Sequence, residues 1–213
     1  MIEYNNPLFN NRRFHRKFNV KNNSLEYIIS ITSRDRIGIV YEISSALAAL
    51  KGNIADSRQS VMCGYYNMIL RASFPAMVTK AEIENKLAEV NEHSETPLNM
   101  LVNQVDQTLL DTVDPQNDYV LTASGKDQIG FVARVAGFCV EHCINILDLS
   151  TTISDGEFIM MLEIDLSRCA SIREVRRALA DFGREHELRV VLQHNDIFKA
   201  VNEISLPIRS SRE

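Results

Sequence analysis

Two short stretches of the sequence carry the residue types from which a small-molecule site could be built. Asp35-Arg36-Ile37-Gly38 returns as Asp127-Gln128-Ile129-Gly130, and each is followed at the same distance by Asn-Ile-x-Asp: Asn53, Ile54 and Asp56, then Asn145, Ile146 and Asp148. An aspartate beside a helix start can accept from an ammonium group, while the amides of that start attract a carboxylate. Together the two poles fit a zwitterionic amino acid, and an asparagine adds both a donor and an acceptor. A plainer reading stays open. Asp35 and Asp127 then act as helix caps, worth about 1 kcal/mol each, and Asn-Ile-x-Asp is a turn leading into a strand. Capping leaves Gly38 and Gly130 unexplained, since glycine inside a first turn costs about 1 kcal/mol relative to alanine. Without a Cβ, each permits close approach by a backbone or a ligand.

These segments belong to a longer repeat. Tyr27 aligns with Tyr119, and the register runs without a gap through Val40/Val132, Asn53/Asn145, Gly64/Gly156, Met68/Met160 and Leu87/Leu179. The stretch "NEHSETP" then gives the first copy two additional residues, after which Leu98 matches Leu188 and Asp106 matches Asp196. Repetition over this length implies two copies of one structural unit. In each copy a β-rich run, "YIISIT" or "YVLTAS", precedes a polar turn. Ile37, Val40, Ser44 and Leu47, and likewise Ile129, Val132, Ala136, Cys139 and Cys143, then recur at helical steps and predict an apolar stripe. Paired β-type runs around Cys63-Gly64 and Asp155-Gly156 predict hairpins. Amphipathic helices follow, with Ile83, Leu87 and Val90 on one face in the first copy and Val175, Leu179 and Phe182 in the second. "LNMLVNQ" and "LRVVLQH" close the units as strands.

Each unit therefore reads βαββαβ, an α+β ferredoxin-like plan with a four-stranded antiparallel sheet and both helices on one face. The expected boundaries are a flexible basic arm at 1–24, a first unit at 25–105, a linker at 106–117, a second unit at 118–204 and a tail at 205–213. A short C-terminal helix carrying Ile197, Val201 and Ile204 is expected to dock on the second unit. The uncovered sheet faces call for pairing between the two units or between two chains.

Bulk chemistry narrows the function classes. The chain has 213 residues, 45% of them hydrophobic, and a formal net charge of −5, so no overall positive field draws it to nucleic acid. A basic cluster at Arg12, Arg13, His15, Arg16 and Lys17 is read as a solvated tail, with nucleic-acid or anionic-membrane contact as the sharper alternative. The exposed face expected for Arg173, Arg176, Arg177 and Arg184 is treated the same way. No apolar run reaches the roughly 20 residues of a membrane span, which leads to the expectation of a cytoplasmic protein without a membrane partner. Cys63, Cys139, Cys143 and Cys169 form neither a disulfide framework nor a zinc ribbon. "CVEHC" is read as thiols on an apolar helix face, with no metal expected. His194 is assigned a local hydrogen bond. No dinucleotide, phosphate-loop or zinc-protease motif occurs, so neither a cofactor nor a catalytic constellation is expected.

The repeat, with Asp-x-x-Gly before the first helix and Asn-Ile-x-Asp after it, resembles the ACT domain family over residues 26–105 and 118–204. Its tandem arrangement resembles the glycine cleavage system transcriptional repressors. That resemblance implies a non-enzymatic regulator that senses a small amino acid of the glycine or serine type, forms homo-oligomers and acts through a partner protein. The contact positions it implies are Asp35, Arg36, Ile37, Gly38, Asn53 and Ile54, and Asp127, Gln128, Ile129, Gly130, Asn145 and Ile146. The copies differ at Ser33-Arg34 against Gly125-Lys126 and at Gly52 against Ile144, so one site is open to alteration. The alternative is a dimerisation module with no small-molecule ligand.

Overall fold

The computed structural model describes residues 24–106, 115–169 and 171–202. Residues 1–23 of the expected arm, 107–114 of the expected linker, Ile204 and the tail lie outside the described residues. The rest divides into two compact units.

In the first unit, alternation along β1 (Ser24–Arg34) turns Tyr27, Ile29 and Ile31 to one buried face. The chain continues through α1 (Ile39–Ala49), β2 (Asn53–Met62), β3 (Tyr65–Pro75), α2 (Lys80–Glu92) and β4 (Asn99–Gln104). The antiparallel sheet has the order β2-β3-β1-β4. Ile43 and Leu47 of α1 pack with Ile83 and Leu87 of α2 over Leu70 and Phe74. The second unit repeats this with β5 (Asp118–Lys126), α3 (Phe131–Glu141), β6 (Asn145–Ser154), β7 (Glu157–Asp165), α4 (Ile172–Glu185) and β8 (Arg189–His194), in the order β6-β7-β5-β8. Both hairpins turn on two residues of positive φ, Cys63 at 51° with Gly64 at 78° and Asp155 at 52° with Gly156 at 78°. This twist matches that of the flanking strands.

The second helix of each unit is capped by a side chain. A reciprocal pair between Thr79 and Glu82 caps α2, and the Ser171 hydroxyl accepts from the Glu174 amide at α4. The first helices depart from expectation. Their caps are Gly38 and Gly130, both left-handed, and no side chain caps either helix. Asp35 and Asp127 therefore do not cap them, because the helices begin three residues later than that role requires. The expected stripe holds only at Leu47 and Cys139. Ile37 and Ile129 are fully exposed, at 100% and 101%, Cys143 is exposed beyond the helix end, and Val40 and Val132 are largely exposed. The buried faces are instead Ile39, Ile43, Ala46 and Leu47, and Phe131, Val135, Phe138 and Cys139.

Helices α1, α3 and α4 end alike. The Gly52 amide reaches back to Leu47 O, Ile144 to Cys139 O and Leu188 to Gly183 O, each at 2.8 Å, and the residue before each donor has positive φ: Lys51, Cys143 and Glu187. This wrapped C-terminal cap satisfies carbonyls that the helix itself leaves open. Beyond β8 lies α5 (Asn195–Asn202). Its Ile197 and Val201 are exposed rather than docked. The helix is held by Asn195, whose buried side-chain amide donates to Asp118 at 2.6 Å and Glu163 at 3.0 Å.

Candidate functional site

In both units the β-to-α loop meets the hairpin at one end of the sheet, where Arg34 pairs with Tyr65 and Lys126 with Glu157. The second strand starts at the other end, where Asn53 pairs with Ser73 and Asn145 with Asp165, so within one unit the Asn-Ile pair expected beside each aspartate does not join it. The Asp35 amide donates to Gly64 O at 2.9 Å, tying the first loop to the β2–β3 turn. Asn53 and Asn145 open β2 and β6 and are exposed, while Ile54 and Ile146 are half-buried. Immediately after each isoleucine the strand register shifts, between Ile54 and Asp56 and between Ile146 and Asp148. The repeated Asn-Ile-x-Asp thus encodes a bulge, which sharpens the local twist. Gly38 and Gly130 are required by φ values of 100° and 86°, not by a close neighbour, since an added Cβ would stand 3.4 Å from its nearest contact in both cases.

The two corners differ in charge. In the first, Arg36 makes a two-pronged contact with Glu42, at 2.7 and 2.6 Å. It also donates to Ser94 Oγ at 2.6 Å and Thr96 Oγ1 at 3.2 Å. Thr96 Oγ1 lies 3.1 Å from Ser33 Oγ, which donates to Pro97 O. The guanidinium is thereby enclosed, with only 14% of the side chain exposed against 34% for Glu42. Hydrogen bonding to Arg36 holds the Glu42 carboxyl below the usual carboxylate range, and the same contact raises Arg36. Ser94 and Thr96 belong to the segment that carries the two additional residues of the first copy.

In the second corner no such closure forms. Gly125 replaces Ser33, Gln128 replaces Arg36, and Arg134 occupies the place of Glu42. Arg134 folds back over the loop and donates from Nη1 to Ile129 O at 3.3 Å, while its Nη2 is buried without a hydrogen-bond partner. Among the described residues no carboxylate pairs with it. A guanidinium nitrogen withdrawn from water and left unpaired is costly, and a carboxylate is its natural complement. The corner thus combines a cationic donor, uncapped helix amides and the exposed Asp127 carboxyl. Repeat comparison pairs positions 36 with 128 and 42 with 134, so the charge swap was present in the sequence. What the sequence lacked was any signal that these positions face one another.

The remaining candidates resolve locally. His142 packs its ring against Phe138 at 4.3 Å. His194 accepts from the Asp196 amide at 3.3 Å and stands edge-on to Tyr119. Among the described residues no group of three His, Cys, Asp or Glu side chains could hold a metal ion, and no helix is long and apolar enough to cross a membrane.

A family model described as the ACT domain matches residues 26–100 and 117–193. The chain belongs to the ACT domain family. ACT domains are regulatory modules that sense amino acids, and this chain carries two of them in tandem. A UPF0237 protein of Listeria monocytogenes is 40% identical over 86 residues, covering 40% of this chain and 97% of that protein. A UPF0237 protein of Methanocaldococcus jannaschii is 35% identical over 86 residues, with 96% of its length covered. These relatives are single-unit proteins, about the length of one ACT unit. Among solved structures, a protein of unknown function from Galdieria sulphuraria matches with a TM-score of 0.65 at 23% identity, covering 80% of this chain and 98% of that one. Another, described as a glycine cleavage system transcriptional repressor, matches with a TM-score of 0.59 at 17% identity over 80% of this chain and 96% of its own. At these identities the likeness establishes the tandem ACT fold.

Proposed function

We propose that the protein is a non-enzymatic sensor of a small amino acid, that the second ACT unit carries the working site, and that the first unit's corner is closed by its own side chains. The observation that carries this reading is the buried, unpartnered Nη2 of Arg134 beside an uncapped helix start. In the bound state the ligand carboxylate meets Arg134 and the amides of α3, while Asp127 receives the ammonium group. Ile129 flanks it, with Gln128 and Gly130 shaping the loop, and Asn145 and Ile146, at the other end of the sheet, take no part in this corner. At the first corner, Asp35, Arg36, Ile37 and Gly38 keep the same framework without Asn53 and Ile54, but Glu42 already occupies the guanidinium.

Glycine and serine are the first ligands to try, a choice favoured by the name of the solved tandem neighbour. Binding would act on a partner protein by changing the surface around Ile129, and a coupling of about 1–3 kcal/mol suffices for control. Titration calorimetry of the purified protein against glycine, L-serine and the other common amino acids tests this, with saturable heat for at least one expected. Absence of heat with all of them removes the sensor reading.

A second reading rests on a separate observation. Ile37 and Ile129, wholly exposed at equivalent positions, suit a corner that packs against another copy of the chain. As a pairing module without a ligand, the protein would show a concentration-dependent dimer, in sedimentation, that Ile37→Ser or Ile129→Ser dissociates and no amino acid alters.

A further inference from the structure

Three of the four cysteines converge beneath α3, in a part of the second unit that the ligand reading does not use. Cys143 follows the α3 cap and is exposed, Cys169 lies in the β7–α4 turn and is half-buried, and Cys139 is buried in the core. The Cys169 thiol points at the end of α3, with Sγ 3.3 Å from His142 O and 3.8 Å from Cys143 O. Because a carbonyl oxygen lies about 2.4 Å from its own Cα, Cys169 Sγ stands within about 6 Å of the Cys143 Cα. This places the Cys169 thiol against the backbone of Cys143, within the range over which a disulfide, with its Cα atoms typically about 5.5 Å apart, is formed. Cys143 is also fixed in place, since its amide and that of Ile144 close the helix on Val140 O and Cys139 O.

We propose that Cys143 and Cys169 form a reversible disulfide on exposure to a hydroperoxide, fastening the α3–β6 turn to the β7–α4 turn. The exposed Cys143 sulfur attacks one peroxide oxygen. The O–O bond breaks, the departing hydroxide takes the thiol proton as water, and Cys143 becomes a sulfenic acid. Cys169 sulfur then attacks Cys143 sulfur, the S–O bond breaks, and hydroxide leaves with the Cys169 proton as a second water. Two thiols are oxidised by two electrons in total, and one peroxide is reduced to two waters.

Cys139 is the competing partner and is unsuited. Burial pushes its thiol up to about 11, with the Cys169 sulfur adding to the effect, and it is screened from the oxidant by the core. Burial also raises Cys169, with Cys143 and Asp165 contributing. This fits a resolving thiol rather than the first to react. Cys143 lies two residues before Asn145, so the bond braces the entry to β6, at the end of the sheet opposite the candidate corner. Its formation does not depend on ligand binding.

The test treats the reduced full-length protein with excess hydrogen peroxide at low protein concentration, blocks remaining thiols and maps disulfide-linked peptides. A Cys143–Cys169 pair is expected, with a mass decrease of about 2 Da for the two hydrogens lost, full reversal by dithiothreitol and an upward shift in Tm. Cys63→Ser should leave all of this unchanged. Cys143→Ser and Cys169→Ser should each abolish the cross-link, and circular dichroism of the reduced forms verifies that both fold. Linkage through Cys139, dimers linked through Cys63, or irreversible oxidation of Cys143 without a cross-link would each overturn the proposal.

Discussion

Arg36 and Arg134 approach the same corner from opposite ends of a six-residue span, and the exchange changes what each corner can bind. In the first unit the cation is supplied by the loop and met by a helix carboxylate. In the second it is supplied by the helix and met only by a backbone carbonyl. Arg134→Met should therefore abolish the calorimetric signal for the cognate amino acid, at least tenfold in Kd, while Arg36→Met leaves it unchanged. The Arg36–Glu42 contact has a different readout. Glu42→Gln should destabilise the first unit by about 1 kcal/mol, the discount reflecting a carboxylate that still meets solvent. Its folded pKa is lowered, so this stabilisation is complete above the ordinary value of 4.5 and disappears as acidification passes the lowered one. Denaturant curves of wild type and Glu42→Gln should therefore differ at neutral pH and converge in acid. Converging curves at neutral pH would mean that the contact contributes nothing.

At the scale of elements, the sequence was most legible where period and turn chemistry act locally. β-rich runs marked the strands, and Cys63-Gly64 and Asp155-Gly156 marked the hairpins. The face of α1 was only partly legible, because a left-handed Gly38 leaves Ile37 outside the helix and the buried face runs through Ile39, Ile43 and Ala46, sharing only Leu47 with the expected stripe. Gly38→Ala should cost about 1–2 kcal/mol, since φ there is 100°. Lys51, in the left-handed position after α1, should accept glycine with a gain of up to about 1 kcal/mol. Urea unfolding of both variants measures the pair of opposite signs. Close approach is instead the role of glycines such as Gly52, where an added Cβ would stand 2.4 Å from the Phe74 ring and 2.8 Å from Leu47 O. Gly52→Ala should destabilise more than Gly38→Ala, because two packed neighbours must move.

For the molecule as a whole, duplication was readable from the aligned register, and with it the fold family. The asymmetry between the copies was only half readable. The two additional residues near Ser94 and Thr96 were visible, but their purpose appears once Arg36 reaches them across 58 and 60 positions of chain. That long-range contact is what separates two alike sequences into one closed and one open corner. Calorimetry should accordingly give close to one ligand per chain rather than two. A second ligand, lost on Glu42→Arg but retained on Arg134→Met, would mean that the first corner opens after all.

The clamp around Arg36 also limits the shape of any response. With one of the two repeats sealed, a single chain has no second occupancy to sharpen its dose curve, and saturation within it is hyperbolic, with a Hill coefficient of about 1. Steeper switching would require a second polypeptide, so the clamp that removes one mouth makes ultrasensitivity a property of assembly and not of the monomer.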